Sequence, residues 1–262
     1  MTSIDLRKSD RALLVGTSGS GKSTLAEHWL TRFRADVPNA RIMVVDTKPR
    51  WRAESLADGT SPRRTYARMA KGDTIRGSMA LSQMADWPLV WDHDVNPSQT
   101  VIVQRIQRDW RDRSATGLAT LAFAIECMER FFGTQHVRRP SLLYVDEGHD
   151  FFTSTGQARG SDVIQRCYRA GRELGLTTVT GFQRPIGMNL QLMTELNVCA
   201  LFHIDYAKDV RRLYDMGWPQ NVGPPSEVQE HCFRLWRKGT PTAGLYRLQK
   251  DPDQSRGLEN AG

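Results

Sequence analysis

The sequence predicts an α/β fold: one domain built on a mostly parallel sheet with helices on both faces. Three observations point there. Short apolar runs alternate with amphipathic stretches along much of the 262 residues. The first apolar run leads into a glycine-rich loop and then a helix pattern. A later apolar run ends in two adjacent acids, Asp146 and Glu147. A run that is apolar throughout marks a strand covered on both faces, because a half-exposed strand alternates.

The elements follow in chain order. Residues 12–15 form a buried strand ending at Gly16. Residues 23–34 form a helix, with Leu25, Trp29 and Phe33 recurring every four positions. Residues 36–39, with Pro38, end it, and 41–46 (RIMVVD) form a second strand. Residues 48–81 are rich in arginine (Arg50, Arg52, Arg63, Arg64, Arg68, Arg76) and poor in apolar periodicity. Weak helical character at 79–86 and a short strand at 89–91 follow, then a better strand at 100–105. Residues 115–132 form an amphipathic helix with Leu118, Leu121, Ala122, Ile125, Met128 and Phe132 on one side. Strands at 141–146, 177–180 and 198–204 and helices at 161–174 and 208–216 complete the alternating part. Strands at 232–236 and 244–248 close it as a C-terminal β-hairpin across Gly239 and Pro241. We read 1–249 as a single domain, with 51–99 a variable basic insertion and 250–262 a flexible polar tail.

Composition excludes several classes. Charged residues are 25% and hydrophobic residues 39% of the chain, ordinary for a globular protein. No window approaches 18 uninterrupted apolar residues, so no membrane span is expected. The polar start, residues 1–11, is no secretory leader. The four cysteines lie far apart without a C-x-x-C pair, which argues against a zinc or redox motif and suits a reducing cytoplasm. The net charge of +7 favours polyanionic partners such as nucleic acid.

The chemistry sits in three places. Gly16-Thr17-Ser18-Gly19-Ser20-Gly21-Lys22-Ser23 fits G-x-x-x-x-G-K-[ST], with Thr24 behind it. Its glycines let successive N–H groups point into one hollow at a helix N-terminus, which attracts phosphate oxygens. Lys22 is expected to reach the β- and γ-phosphates of ATP, and Ser23 to give a hydroxyl ligand to Mg²⁺. The strand ending in Asp146-Glu147 is similar to a Walker B motif: Asp146 for the Mg²⁺ shell, Glu147 as the base that polarises the attacking water. A nucleotide kinase needs no such base; a hydrolase does. Gln183 follows the next strand and, if the two strands are neighbours, lies beside the γ-phosphate. His149 is assigned no role. On the helix at 161–174, Val163, Ile164, Cys167, Tyr168, Gly171 and Leu174 share a sector, and Arg166, Arg169 and Arg172 fall opposite. That stripe is either a solvated face or the source of an arginine finger acting on a neighbour's ATP, with Arg172 the first candidate and Arg169 the second.

Together GTSGSGKST (16–24), VVDTKPR (44–50), LLYVDEGHD (142–150) and RAGRELGLTTVTGFQRP (169–185) resemble the HerA/FtsK superfamily of DNA-pumping ATPases. The resemblance covers residues 11–249, except that 51–99 match nothing known. It implies a RecA-like core of the ASCE class of P-loop NTPases, a pentameric or hexameric ring, and ATP-driven movement of double-stranded DNA through the ring. Such binding is sequence-independent and made through phosphates, with the stretch from Arg50 to Arg76 as the candidate surface. Membrane spans, a winged-helix domain, an N-terminal β-barrel and a nuclease domain are not visible, which leaves a stripped motor. That motor is similar to the genome-packaging ATPases of bacterial viruses (bacteriophages), which fill a preformed capsid without cutting a concatemer, in the host cytoplasm and with a portal or capsid as docking partner. A cellular or plasmid translocase in DNA transfer or repair is the first alternative; a metabolic P-loop NTPase or kinase is the second.

Overall fold

In the computed structural model, ten strands among the described residues form one sheet in the order β10-β9-β8-β7-β1-β6-β5-β2-β4-β3. The structure describes residues 4–38, 40–46, 63–68, 100–105, 125, 128–129, 131–133, 140–151, 161–188, 190–215, 217–219, 223–240, 243–248 and 258–260. The strands are β1 (Arg11–Val15), β2 (Arg41–Asp46), β3 (Arg63–Arg68), β4 (Thr100–Arg105), β5 (Ser141–Val145), β6 (Leu176–Phe182), β7 (Val198–Leu201), β8 (Cys232–Arg237), β9 (Gly244–Leu248) and β10 (Leu258–Asn260). Helices include α1 (Lys22–Asp36), α2 (Ser161–Leu174), α3 (Leu190–Glu195) and α4 (Ala207–Asp215). From β3 to β7 every pairing is parallel; β7 to β10 are joined antiparallel.

The apolar runs explain the layering. Side chains alternate across the sheet, so one strand feeds two cores. Leu13, Val15, Met43, Val45, Leu143 and Val145 pack with Val163, Ile164, Cys167 and Tyr168 of α2. Ala12, Leu14, Ile42, Val44, Leu142 and Tyr144 pack with Leu25, Trp29, Leu30 and Phe33 of α1. α2 presents its predicted apolar sector inward, while Arg166, Arg169 and Arg172 are exposed. The Tyr168 hydroxyl reaches through to the sheet, donating to Ala12 O (2.8 Å) and lying 3.0 Å from Thr180 Oγ1.

Several elements differ from the sequence reading. The strand expected at 198–204 ends at Leu201, because Phe202 to Ile204 leave the ladder to meet the phosphate loop and the segment at Pro225. β6 is longer than expected: all of its residues are buried, with Leu176–Thr180 paired to β5 and Thr178–Phe182 to β1. Part of the basic insertion forms β3, which places Arg63, Arg64 and Arg68 on an edge strand paired with β4. The tail returns to the sheet as β10 against β9. Of the helix expected at 115–132, residues 125, 128–129 and 131–132 are described and helical; Phe131 is fully buried, under the Arg41 guanidinium, and Phe132 only partly. The features expected at 79–86 and 89–91, and Arg50, Arg52 and Arg76, lie outside the described residues. No helix among the described residues is long and apolar enough to cross a membrane.

Trp29 is the largest side chain joining α1 to the sheet; it is fully buried and its indole N–H donates to Ile4 O at 2.9 Å. Trp29→Ala is expected to lower the unfolding free energy by about 3–5 kcal/mol, measured by urea denaturation.

Candidate active site

The sheet delivers the phosphate loop, the acidic pair and Gln183 to one edge, at the C-terminal ends of β1, β5 and β6. The loop is rooted in the sheet: Gly16 N–H donates to Phe182 O and Thr17 N–H to His203 O, each at 3.2 Å. Gly21 then turns the chain into α1 at φ 108°, a conformation open to glycine and costly for other residues. The first turn of α1 contains no acid, so its N–H groups and positive dipole end face the loop uncompensated. Lys22 is buried, and its ammonium donates to Gly16 O (2.6 Å) and Thr17 O (2.8 Å), which holds it over the loop. Ser20 Oγ is buried without a hydrogen-bond partner among the described residues. Ser18 and Gly19 form the exposed crest, and Thr24 is half-buried in the first turn of α1. The N-terminal turn of a helix, an ammonium and an unsatisfied hydroxyl suit a polyphosphate.

The second wall comes from β5 and β6. Asp146 is buried, and its Oδ1 accepts from Tyr144 Oη at 2.6 Å and lies 3.2 Å from Ser23 Oγ. Tyr144 sits two residues earlier on the same strand face, so the period of two aligns it under the carboxylate. Magnesium demands near-octahedral oxygen ligands at 2.0–2.1 Å, which puts neighbouring ligands about 2.9 Å apart. The Ser23 hydroxyl and Asp146 carboxylate are hard oxygen donors at close to that separation, so they fit the ion. Gln183 Nε2 donates to Glu147 Oε1 at 2.6 Å, across the parallel β5–β6 pair. Gly181 makes this approach possible: a Cβ there would strike the Asp146 carbonyl oxygen.

A cluster beyond Gln183 was not anticipated. The His149 Nε2–H donates to Arg184 O (2.9 Å), and its ring stands edge-on to Phe182. Burial holds the His149 pKa below its ordinary value, against the opposing pull of the Arg184 carbonyl and the Glu147 charge. Arg184 Nε donates to Asp209 Oδ2 (3.0 Å) and its guanidinium lies 4.8 Å from the centre of the Tyr206 ring. Asp209 is buried and also accepts the Ile186 N–H at 3.1 Å. His149 and Asp209 thus pin the segment after Gln183 from two sides. The available signal in the sequence was a buried acid in the first turn of α4, which a charge count does not separate from a solvated one.

The arginine candidates sit elsewhere. Arg169 and Arg172 are on the exposed face of α2, and Arg172 lies at the turn into β6, at the N-terminal edge of the sheet. The structure brings neither to the phosphate loop of its own chain.

Comparison with solved structures gives related architectures. The chain is similar to the genome packaging NTPase B204 from Sulfolobus turreted icosahedral virus 2, solved in complex with AMPPCP, at 14% identity and a TM-score of 0.58 over 92% of this chain and 98% of that one. It is similar to B204 from Sulfolobus turreted icosahedral virus, described as a DNA-packaging ATPase, at 13% identity and a TM-score of 0.56 over 92% and 98%. VirB4 of Thermoanaerobacter pseudethanolicus matches at 9% identity and a TM-score of 0.63 over 93% and 90%. The chain shares their fold. It is an α/β, RecA-like core, as the sequence resemblance implied. No protein-family model and no curated sequence matches it.

Two outcomes test the geometry. Gly181→Ala is expected to displace the Asp146 backbone and lower stability by roughly 1–3 kcal/mol in chemical denaturation. His149 is held neutral in the fold, so the unfolded chain binds its proton first as pH falls below 6.5, the ordinary histidine value. Stability present above that pH is therefore lost below it. His149→Gln is expected to reduce this loss, read as the difference in Tm between pH 7.5 and pH 5.5.

Proposed function

We propose that this chain is an ATP-hydrolysing motor that moves double-stranded DNA as a ring of its own copies, packaging a viral genome into a preformed capsid. The observation that carries the reading is the Gln183–Glu147 contact of 2.6 Å, set beside the Ser23–Asp146 pair and Lys22. A water-activating carboxylate held at the end of the strand next to an amide is the arrangement of a hydrolase, not of a kinase. The fold shared with B204, a genome packaging NTPase, supports the viral setting. The fold shared with VirB4 of Thermoanaerobacter pseudethanolicus supports the second reading, a cellular or plasmid DNA translocase.

In the mechanism, the loop N–H groups and Lys22 bind the β- and γ-phosphates of ATP. Ser23 and Asp146 would hold a magnesium ion, which supplies positive charge against those phosphates. Glu147 accepts a proton from a water whose oxygen attacks the γ-phosphorus. The bond from that phosphorus to the β–γ bridging oxygen breaks, the electron pair leaves with ADP, and inorganic phosphate is released. Gln183 serves two partners. Its N–H donates to Glu147 in this structure, and turning it to the γ-phosphate frees the carboxylate oxygen it covers. Arg172, remote from its own site, is the arginine that meets the neighbour's γ-phosphate in the ring, with Arg169 second. DNA is gripped through phosphates by the arginine-rich stretch that includes Arg63, Arg64 and Arg68 on β3.

Steady-state ATP hydrolysis with and without linear duplex DNA is the direct test. Duplex DNA is expected to stimulate turnover, and DNA affinity to fall steeply with salt. Turnover indifferent to DNA, with a flat salt response, would move the chain to a metabolic NTPase. Lys22→Ala is expected to weaken nucleotide binding and abolish turnover. Glu147→Gln is expected to keep ATP binding while lowering kcat by on the order of 10²–10⁴-fold. Arg172→Ala is expected to spare ATP binding and lower turnover by roughly 10³–10⁵-fold. Normal turnover in that variant would remove its finger role.

A further inference from the structure

The sheet edge remote from the phosphate loop carries a cleft of about 540 Å³, lined by Lys8, Ser9, Pro140, Arg172, Glu173 and Gly175. Two of its lining residues are exposed cations, Lys8 and Arg172, on separate segments of the chain. Glu173 is the acid among them, and within the described residues neither cation forms an ion pair with it or with another acid.

The turn that carries Lys8 is clamped. Arg7 N–H donates to Asp10 Oδ2 (2.8 Å), and Asp10 N–H donates back to Arg7 O (3.1 Å). Asp10 is itself buried and held by Arg237 Nη1 (2.8 Å) and Asn197 Nδ2 (3.0 Å). Ser9 has φ 65°, the left-handed region that a side chain disfavours. Its N–H donates to Thr177 Oγ1 (2.9 Å), and its hydroxyl to the Arg172 carbonyl (3.4 Å). A strained residue thus ties the Lys8 turn to the backbone of Arg172, and strain of this kind persists only where the surroundings enforce it.

Distance decides what the two cations can serve. β6 runs from Leu176 beside the cleft to Phe182 at the phosphate loop. At about 3.3 Å per residue that is roughly 20 Å, beyond the reach of a lysine or arginine side chain. Neither cation can touch the nucleotide of its own chain. We infer that Lys8 is a second trans-acting cation: with Arg172 it meets the triphosphate bound to the adjacent copy of this chain, and the cleft is half of a composite active site. The inference rests on the ring-ATPase reading. The chemistry is complementary, because the arginine fork can bond two phosphate oxygens while the lysine adds a compact point charge. The clamped turn fixes that charge before the neighbour arrives.

The test is complementation between inactive variants of the full chain. Lys8→Met keeps the side-chain length and removes the charge, and is expected to lower ATP turnover on the order of a hundredfold, with Lys8→Arg restoring part of it. Glu147→Gln is inactive in its own site but presents an intact Lys8 and Arg172. Mixing Lys8→Met with Glu147→Gln is expected to raise turnover above either alone, because Lys8→Met subunits then receive a neighbour's lysine. Arg172→Ala mixed with Glu147→Gln is the parallel arm. Full activity of Lys8→Met overturns the inference. So does loss of activity without recovery on mixing while the Arg172 arm recovers, which makes Lys8 structural. A Lys8→Met variant that hydrolyses ATP normally but binds duplex DNA more weakly overturns it too, since the cleft then holds DNA phosphate. If both mixtures fail, the ring-ATPase reading falls and the inference with it.

Discussion

The site depends on one topological constraint: β6 lies between β1 and β5, hydrogen-bonded in parallel to both. That single placement brings the Phe182 carbonyl to the root of the phosphate loop and Gln183 to Glu147. It also forces the Gly181 backbone against the Asp146 carbonyl. Without β6 in the middle, the loop and the acidic pair would adjoin directly and no amide would stand between them. The two cores maintain the placement, since β6 is buried along its whole length and cannot slide without exposing apolar surface on one side.

The sheet has two polar edges rather than one. Its C-terminal edge gathers the loop, the carboxylates and the pinned segment after Gln183. Its N-terminal edge gathers Lys8, Ser9 and Arg172 around a cleft, with the buried Asp10–Arg237 pair beneath. Each edge is organised by polar contacts between segments far apart in the chain. The two edges are about 20 Å apart along β6.

Much of this was legible in the residues. The alternation of apolar runs and the loop GTSGSGKS give the architecture, because burial on both faces removes the period-two pattern and leaves an unmistakable apolar string. The inward sector of α2 was readable for the same reason: Val163, Ile164, Cys167 and Tyr168 are all fully buried. Contacts across the sheet were not readable. Tyr144 under Asp146 follows from strand period only once the strand face is known, and Asp209 bonding Arg184 joins residues from different elements. The edge strands β3 and β10 were missed because their sequences carry no apolar run, as in RRTYAR of β3. Phe202 and Ile204 read as strand because they continue the apolar run of β7, yet the backbone there turns to serve the loop.

The stitching of the phosphate loop has a mechanical meaning. Gly16 is bonded to the end of β6 and Thr17 to His203 beyond β7, and the His203 ring in turn lies 2.9 Å from Val228 O. The loop is therefore an anchored bracket rather than a hinge. Shearing it would break hydrogen bonds to two strands at once. A bracket of this stiffness passes load to whatever it is fastened to, so force applied at this edge is carried into the sheet as a single plate.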